Sequence, residues 1–198
     1  FLHTIEWIME TLDALLLKAF GEGAVTKWTV LNEKQMGFSG AVVAEVEVVW
    51  SPKSEVASAA APFRPTRLFV KRIVSSAPPP DAAPSVLAKH ARDRRSYANE
   101  CTFLRHHVPL LLARGIGVPR PLRVDVAAAD PDAAGTFTTL SESMGPGHAQ
   151  HAVLPPHRIP DVLNWLARFH ALHTGACAAR DLRRGEGPEA DLWDYGGD

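Results

Sequence analysis

The sequence predicts an α+β fold, and three observations carry that reading. Apolar residues Ile5, Ile8, Met9, Leu12, Leu15, Leu16 and Ala19 recur at three- and four-residue steps, as do Ile159, Val162, Leu163, Leu166, Phe169 and Leu172. That is the period of an amphipathic helix. Short β-branched runs bounded by Gly, Pro and Ser, chief among them residues 41–50 and 68–74, read as strands. Taken in order the chain runs helix, three strands, helix, two strands, linker, helix, so strands are grouped rather than alternating one for one with helices.

Each element has its own local cause. Gly21 and Gly23 stop the first helix. Residues 27–31, Lys-Trp-Thr-Val-Leu, read as a strand, Met36 to Gly40 as a glycine-containing turn, and residues 41–50, with Val42, Val43, Val46, Val48 and Val49, as its hairpin partner. A Pro-, Ala- and Ser-rich connection over 51–67 leads to the third strand, and a loop over 75–84 holds the run Pro78, Pro79, Pro80. Residues 85–114 turn helical, and Pro109 is expected to interrupt that helix because it lacks an N–H and its ring crowds the preceding turn. Gly115 and Gly117 end it. Val118-Pro119-Arg120-Pro121 is a rigid turn, after which residues 122–128 and 136–142 read as two strands around an Asp-Pro-Asp loop. A Gly-, Pro- and His-containing linker over 143–156 precedes the last helix.

Composition narrows the function classes. At 198 residues, 46% hydrophobic and 22% charged, the chain has enough material for a substantial core. Lys and Arg number 21 against 22 Asp and Glu, for a net charge of -1, so no basic field points to nucleic acid. The apolar stretch 12–20 carries Asp13 and Lys18 and is too short for a membrane span. Cys101 and Cys177 have neither metal-ligand spacing nor the density of a secreted disulfide scaffold, and a cytoplasmic setting is the simplest expectation. The chain opens on Phe1 without a methionine and closes on the aromatic run Leu192-Trp193-Asp194-Tyr195, which suggests a piece of a longer fold.

The most chemically telling pair is Lys71 and Glu100. Lys71 lies inside the strand-like run Leu68-Phe69-Val70-Lys71-Arg72-Ile73, and Glu100 inside the helical stretch from Ser96 to Leu104. A lysine on a buried-looking strand needs a counter-ion. The plain alternatives are a solvent-facing lysine on an edge strand and a solvated helix glutamate. The histidine pairs His106/His107 and His170/His173 make no metal site: the first two are adjacent and point to different helix faces, and the second two lack a carboxylate or thiolate nearby.

Four segments in order, Phe69-Val70-Lys71-Arg72-Ile73, Tyr97-Ala98-Asn99-Glu100-Cys101-Thr102-Phe103, Gly117-Val118-Pro119-Arg120-Pro121-Leu122 and Leu166-Ala167-Arg168-Phe169-His170-Ala171, resemble the ecdysteroid-kinase-like, or CHK-kinase-like, family. That family groups with choline kinases and aminoglycoside phosphotransferases, and the resemblance runs from about Thr26 to the end. It implies a protein-kinase-like small lobe over 1–142, about five antiparallel strands with a packed helix, then a hinge over 143–156 and the first helix of a helical large lobe over 157–198. It further implies ATP as cosubstrate, Mg²⁺, and a small-molecule acceptor whose hydroxyl receives the γ-phosphate.

By the same resemblance Gly37, Ser39 and Gly40 would form the turn over the phosphates, where small residues let backbone N–H groups approach the anion. The alternative is an ordinary hairpin turn. Lys71 would contact the α and β phosphates and Glu100 would orient it. The Glu142 carbonyl and the Met144 N–H would face adenine. Here Glu142 is followed by Ser143 where the family often has an acidic pair. Phosphoryl transfer also needs a catalytic aspartate with an asparagine and a second aspartate on Mg²⁺, which the family carries on His-x-Asp-x-x-x-x-Asn and a following Asp motif. Neither motif occurs, and the last asparagine is Asn164. The metal ligands are therefore expected in a part beyond this sequence, and these 198 residues alone are expected not to turn over. Two other readings are a non-catalytic nucleotide-binding or protein-interaction module, and a structural scaffold with an accidental Lys/Glu pair.

Overall fold

A computed structural model describes residues 12–36, 41–52, 64–127, 135–145 and 153–174, the side chains of 173 and 174 excepted. Among the described residues the fold is α+β, with a five-stranded antiparallel sheet and three helical stretches. The chain divides into two compact units: Phe1–Ala77 with Pro121–Met144, and Pro78–Arg120 with Gly145–Asp198.

The first unit holds helix α1 (residues 12–20) and strands β1 (Val25–Gln35), β2 (Val42–Trp50), β3 (Arg67–Ser75), β4 (Pro121–Ala127) and β5 (Gly135–Glu142). They lie in the order β1-β2-β3-β5-β4, every neighbour antiparallel. β1 and β2 form the expected hairpin, closed by a 2.7 Å bond from the Met36 N–H to the Ala41 carbonyl. The turn residues Gly37, Ser39 and Gly40 lie outside the described residues. β1 is longer than the sequence suggests, because residues 25–35 keep pairing with β2 through two register shifts, at Val25/Lys27 and at Val30/Asn32.

Side-chain alternation gives the sheet two faces. Ala44, Val46 and Val48 of β2, Leu68 and Val70 of β3 and Leu140 of β5 form one buried cluster with Leu12, Leu15 and Leu16 of α1. This is the core that the leucine spacing of the first helix foretells. Asp13 fixes the other side of α1 by accepting a 2.6 Å hydrogen bond from the Trp28 indole, and Phe20 meets Trp50 edge to face at 4.7 Å. Gly21 ends α1 at φ +88, a left-handed conformation that costs glycine little, and its N–H donates to the Leu17 carbonyl at 2.8 Å.

The second unit is helical. α2 (Pro84–Thr102) passes through a π turn (Phe103–His107) into α3 (Val108–Ala113), and a 3₁₀ turn (Pro156–Arg158) leads into α4 (Ile159–Thr174). Pro109 does not interrupt the helix as expected. It stands in the first turn of α3, and the Val108 N–H bonds five residues back to the Phe103 carbonyl. The wider π turn takes up the mismatch that the proline ring creates in a regular ladder.

The end of α3 is a Schellman motif: the Gly115 N–H donates to Leu112 at 2.9 Å and the Ile116 N–H to Leu111 at 2.9 Å, with Gly115 at φ +65. Leu111 and Ile116 are both buried beside it. α4 docks here through two side chains one turn apart. The Trp165 indole donates to the Gly117 carbonyl at 2.9 Å, and Arg168 donates to the carbonyls of Arg114 and Gly115 at 2.9 and 3.0 Å. A guanidinium at a helix C-terminus meets the negative end of the helix dipole as well as open carbonyls.

Candidate functional site

β3 is the middle strand of five, so Lys71 is not the edge-strand lysine of the plain alternative. It stands opposite Val43 on β2 and Thr139 on β5. Leu68 and Val70 point to the α1 core, so Lys71 shares the other face with Phe69 and Ile73, and register adds Glu45, Phe137, Thr139 and Ser141 to that face. Ile73, Phe137 and Thr139 are buried there, and Lys71 is half-buried. A lysine in the centre of a sheet, on the face away from the α1 core and beside buried apolar groups, calls for anionic or hydrogen-bonding partners on that face.

The exit of β5 has a defined geometry. The Ser143 N–H donates to the Arg67 carbonyl at 3.0 Å, which makes Leu68↔Glu142 a non-hydrogen-bonded pair toward β3. Along an extended strand the N–H and C=O of successive residues point to opposite sides. The backbone groups of Glu142, the last residue of β5, thus point toward the β4 side. The β4–β5 ladder stops at Pro121↔Ser141. Met144 is exposed, and Gly145 turns the chain at φ +67. The expected adenine-facing atoms, the Glu142 carbonyl and the Met144 N–H, lie in this stretch.

Glu100 belongs to the helical unit, half-buried on α2. Near it burial pushes the Tyr97 phenol above its ordinary value, with the Asp93 carboxylate acting the same way. Asp93 in turn is lowered by the hydrogen bond it accepts from Lys89 at 2.6 Å, one helical turn away. His107 is buried and stacks on Phe103 at 5.6 Å, while neighbouring His106 is exposed, as their adjacency on a helix requires. His170, exposed on α4, meets Phe169 edge to face at 5.9 Å.

Three features escaped the sequence. The Glu45–Ser143 contact joins residues 98 apart with no shared motif. Arg168 gave no sign of capping another helix beyond its one-turn spacing from Trp165. A pocket of about 350 Å³ at the α1–β1 corner is lined by Leu16, Gly21, Glu22, Lys27 and Trp28. It is open to solvent, and none of its lining residues is among the expected nucleotide-binding residues. Among the described residues no group of three His, Cys, Asp or Glu side chains could hold a metal ion. No helix among them is long and apolar enough to cross a membrane.

Set against models of known protein families, curated protein sequences and solved structures, the chain finds no match in any of the three. Its class is therefore defined by its own geometry: an α+β protein whose antiparallel sheet carries a central lysine on the face away from α1.

Proposed function

We propose that this chain binds ATP on the Lys71 face of its sheet, as the nucleotide-binding front part of a kinase that transfers the γ-phosphate to a hydroxyl of a small organic acceptor. One observation carries the reading: the lysine falls on the third strand, at the centre of the sheet, and the next element in the chain is a helix carrying Glu100. Kinases use a third-strand lysine and a glutamate on the following helix to hold the phosphates. The β5 exit supports the same reading, since it turns alternate backbone groups toward an edge that β4 leaves at Pro121.

In this reading Lys71 supplies positive charge to the α and β phosphates and Glu100 orients it. Gly37, Ser39 and Gly40 bring backbone N–H groups over the phosphates, and Glu142 and Met144 pair with adenine. Mg²⁺, if bound, would neutralise charge on the phosphates, and no group of the described residues would hold it. For the 198 residues themselves we propose nucleotide binding and no turnover.

The test is Lys71→Ala, with ATP and adenosine affinities measured by calorimetry. Loss of a charged hydrogen bond to phosphate is expected to cost about 1.5–3 kcal/mol, roughly ten- to a hundredfold in Kd for ATP. Adenosine affinity is expected to hold. Equal ATP affinity in wild type and variant overturns the lysine's role.

A further inference from the structure

Ser143, the first residue past β5, is tied to β3 and β2. Its N–H donates to the Arg67 carbonyl at 3.0 Å, and its hydroxyl donates to Glu45 Oε1 at 2.7 Å. Glu45 stands on β2, so its carboxylate reaches across β3 to meet the hydroxyl. The Arg67 guanidinium lies 3.9 Å from the same carboxylate and 4.0 Å from Glu47, a partly exposed set that steers Glu45 without adding much stability. On the other side the β4–β5 ladder ends at Pro121↔Ser141. The segment leaving β5 is thus pinned from the β3 side.

From this we infer that Glu45 and Ser143 are positioning residues for nucleotide recognition: their hydrogen bond fixes the strand register that presents the Glu142 carbonyl and the Met144 N–H to an adenine ring. The inference rests on the ATP reading above and adds a specificity device to it. It also gives a physical reason for serine at 143. An acidic residue there would bring a second carboxylate against Glu45, a like-charge contact in a half-buried place. A hydroxyl instead donates to the one already present.

The experiment uses the whole chain and two probes, adenosine for the adenine edge and inorganic tripolyphosphate for the Lys71 end. Ser143→Ala and Ser143→Asp are expected to weaken adenosine binding, roughly tenfold for alanine, the worth of one hydrogen bond to a charged acceptor, and more for aspartate. Tripolyphosphate binding is expected to stay within about twofold, a difference small beside one hydrogen bond. Glu45→Gln keeps an acceptor oxygen and is expected to bind adenosine like wild type, whereas Glu45→Leu follows Ser143→Ala. Amide exchange at Met144, read without ligand, is expected to rise in Ser143→Ala and Glu45→Leu, which separates loss of register from loss of fold. Wild-type binding to adenosine with unchanged binding in Ser143→Ala and Ser143→Asp overturns this inference and leaves the ATP reading standing. Equal weakening of both probes also overturns it. No adenosine or tripolyphosphate binding by wild type overturns the ATP reading and this inference together.

Discussion

Arg168 shows how one side chain can set a helix's place. It donates to the carbonyls of Arg114 and Gly115 where α3 ends, which a Schellman turn leaves partly open to a donor. Arg168→Met keeps the stem and removes both bonds, and it is expected to cost about 1 kcal/mol, since the guanidinium is exposed and part of its bonding is replaced by water. Urea denaturation followed by tryptophan fluorescence measures it, and a midpoint equal to wild type argues that the contact contributes nothing. At this scale the sequence was only partly legible. Lys71 stood out because a charge inside an apolar strand is rare and local. Glu45 and Ser143 did not, because each is an ordinary polar residue on its own and only the β2-β3-β5 order brings them together.

Elements follow from local pattern more directly than their ends do. The leucines of α1 fall at helical spacing and form the core cluster with β2, β3 and β5. Leu16→Ala is expected to destabilise the protein by about 2–5 kcal/mol, because the cavity it leaves lies among strands that cannot collapse into it. A thermal or urea midpoint that moves by less than half a kilocalorie's equivalent would contradict the packing. Pro109 is the instructive failure. Proline chemistry alone argues for a break, but a π turn just before it widens the ladder enough to carry the helix on through Ala113. That solution depends on the packing of buried His107, Val108 and Leu111, which no single-residue rule contains. The expected apolar stripe on α4 is present, with Leu163 59% and Leu166 37% exposed. Phe169 of the same stripe is half-buried, 6.4 Å from Phe103 and stacked on Trp165 at 5.3 Å.

On the scale of the molecule, the fold class and the strand content were readable because alternation, helical period and Gly/Pro punctuation agree along the chain. The strand order was not, since nothing local tells β5 to enter between β3 and β4. Of the candidate site, Lys71, Glu142 and Met144 share the sheet unit, Glu100 belongs to the helical unit, and Gly37, Ser39 and Gly40 lie outside the described residues. The proposal concerns the sheet's two faces: one packs on α1, and the other is proposed to bind a nucleotide. The measurement that tests it most directly is a residue-resolved NMR titration of the intact chain with Mg·ATP. The account expects amide shifts at Lys71, Thr139, Glu142 and Met144, with Leu12, Leu15 and Leu16 on α1 unmoved. No shifts at saturating nucleotide, or shifts confined to the α1–β1 corner around Glu22 and Trp28, would contradict it.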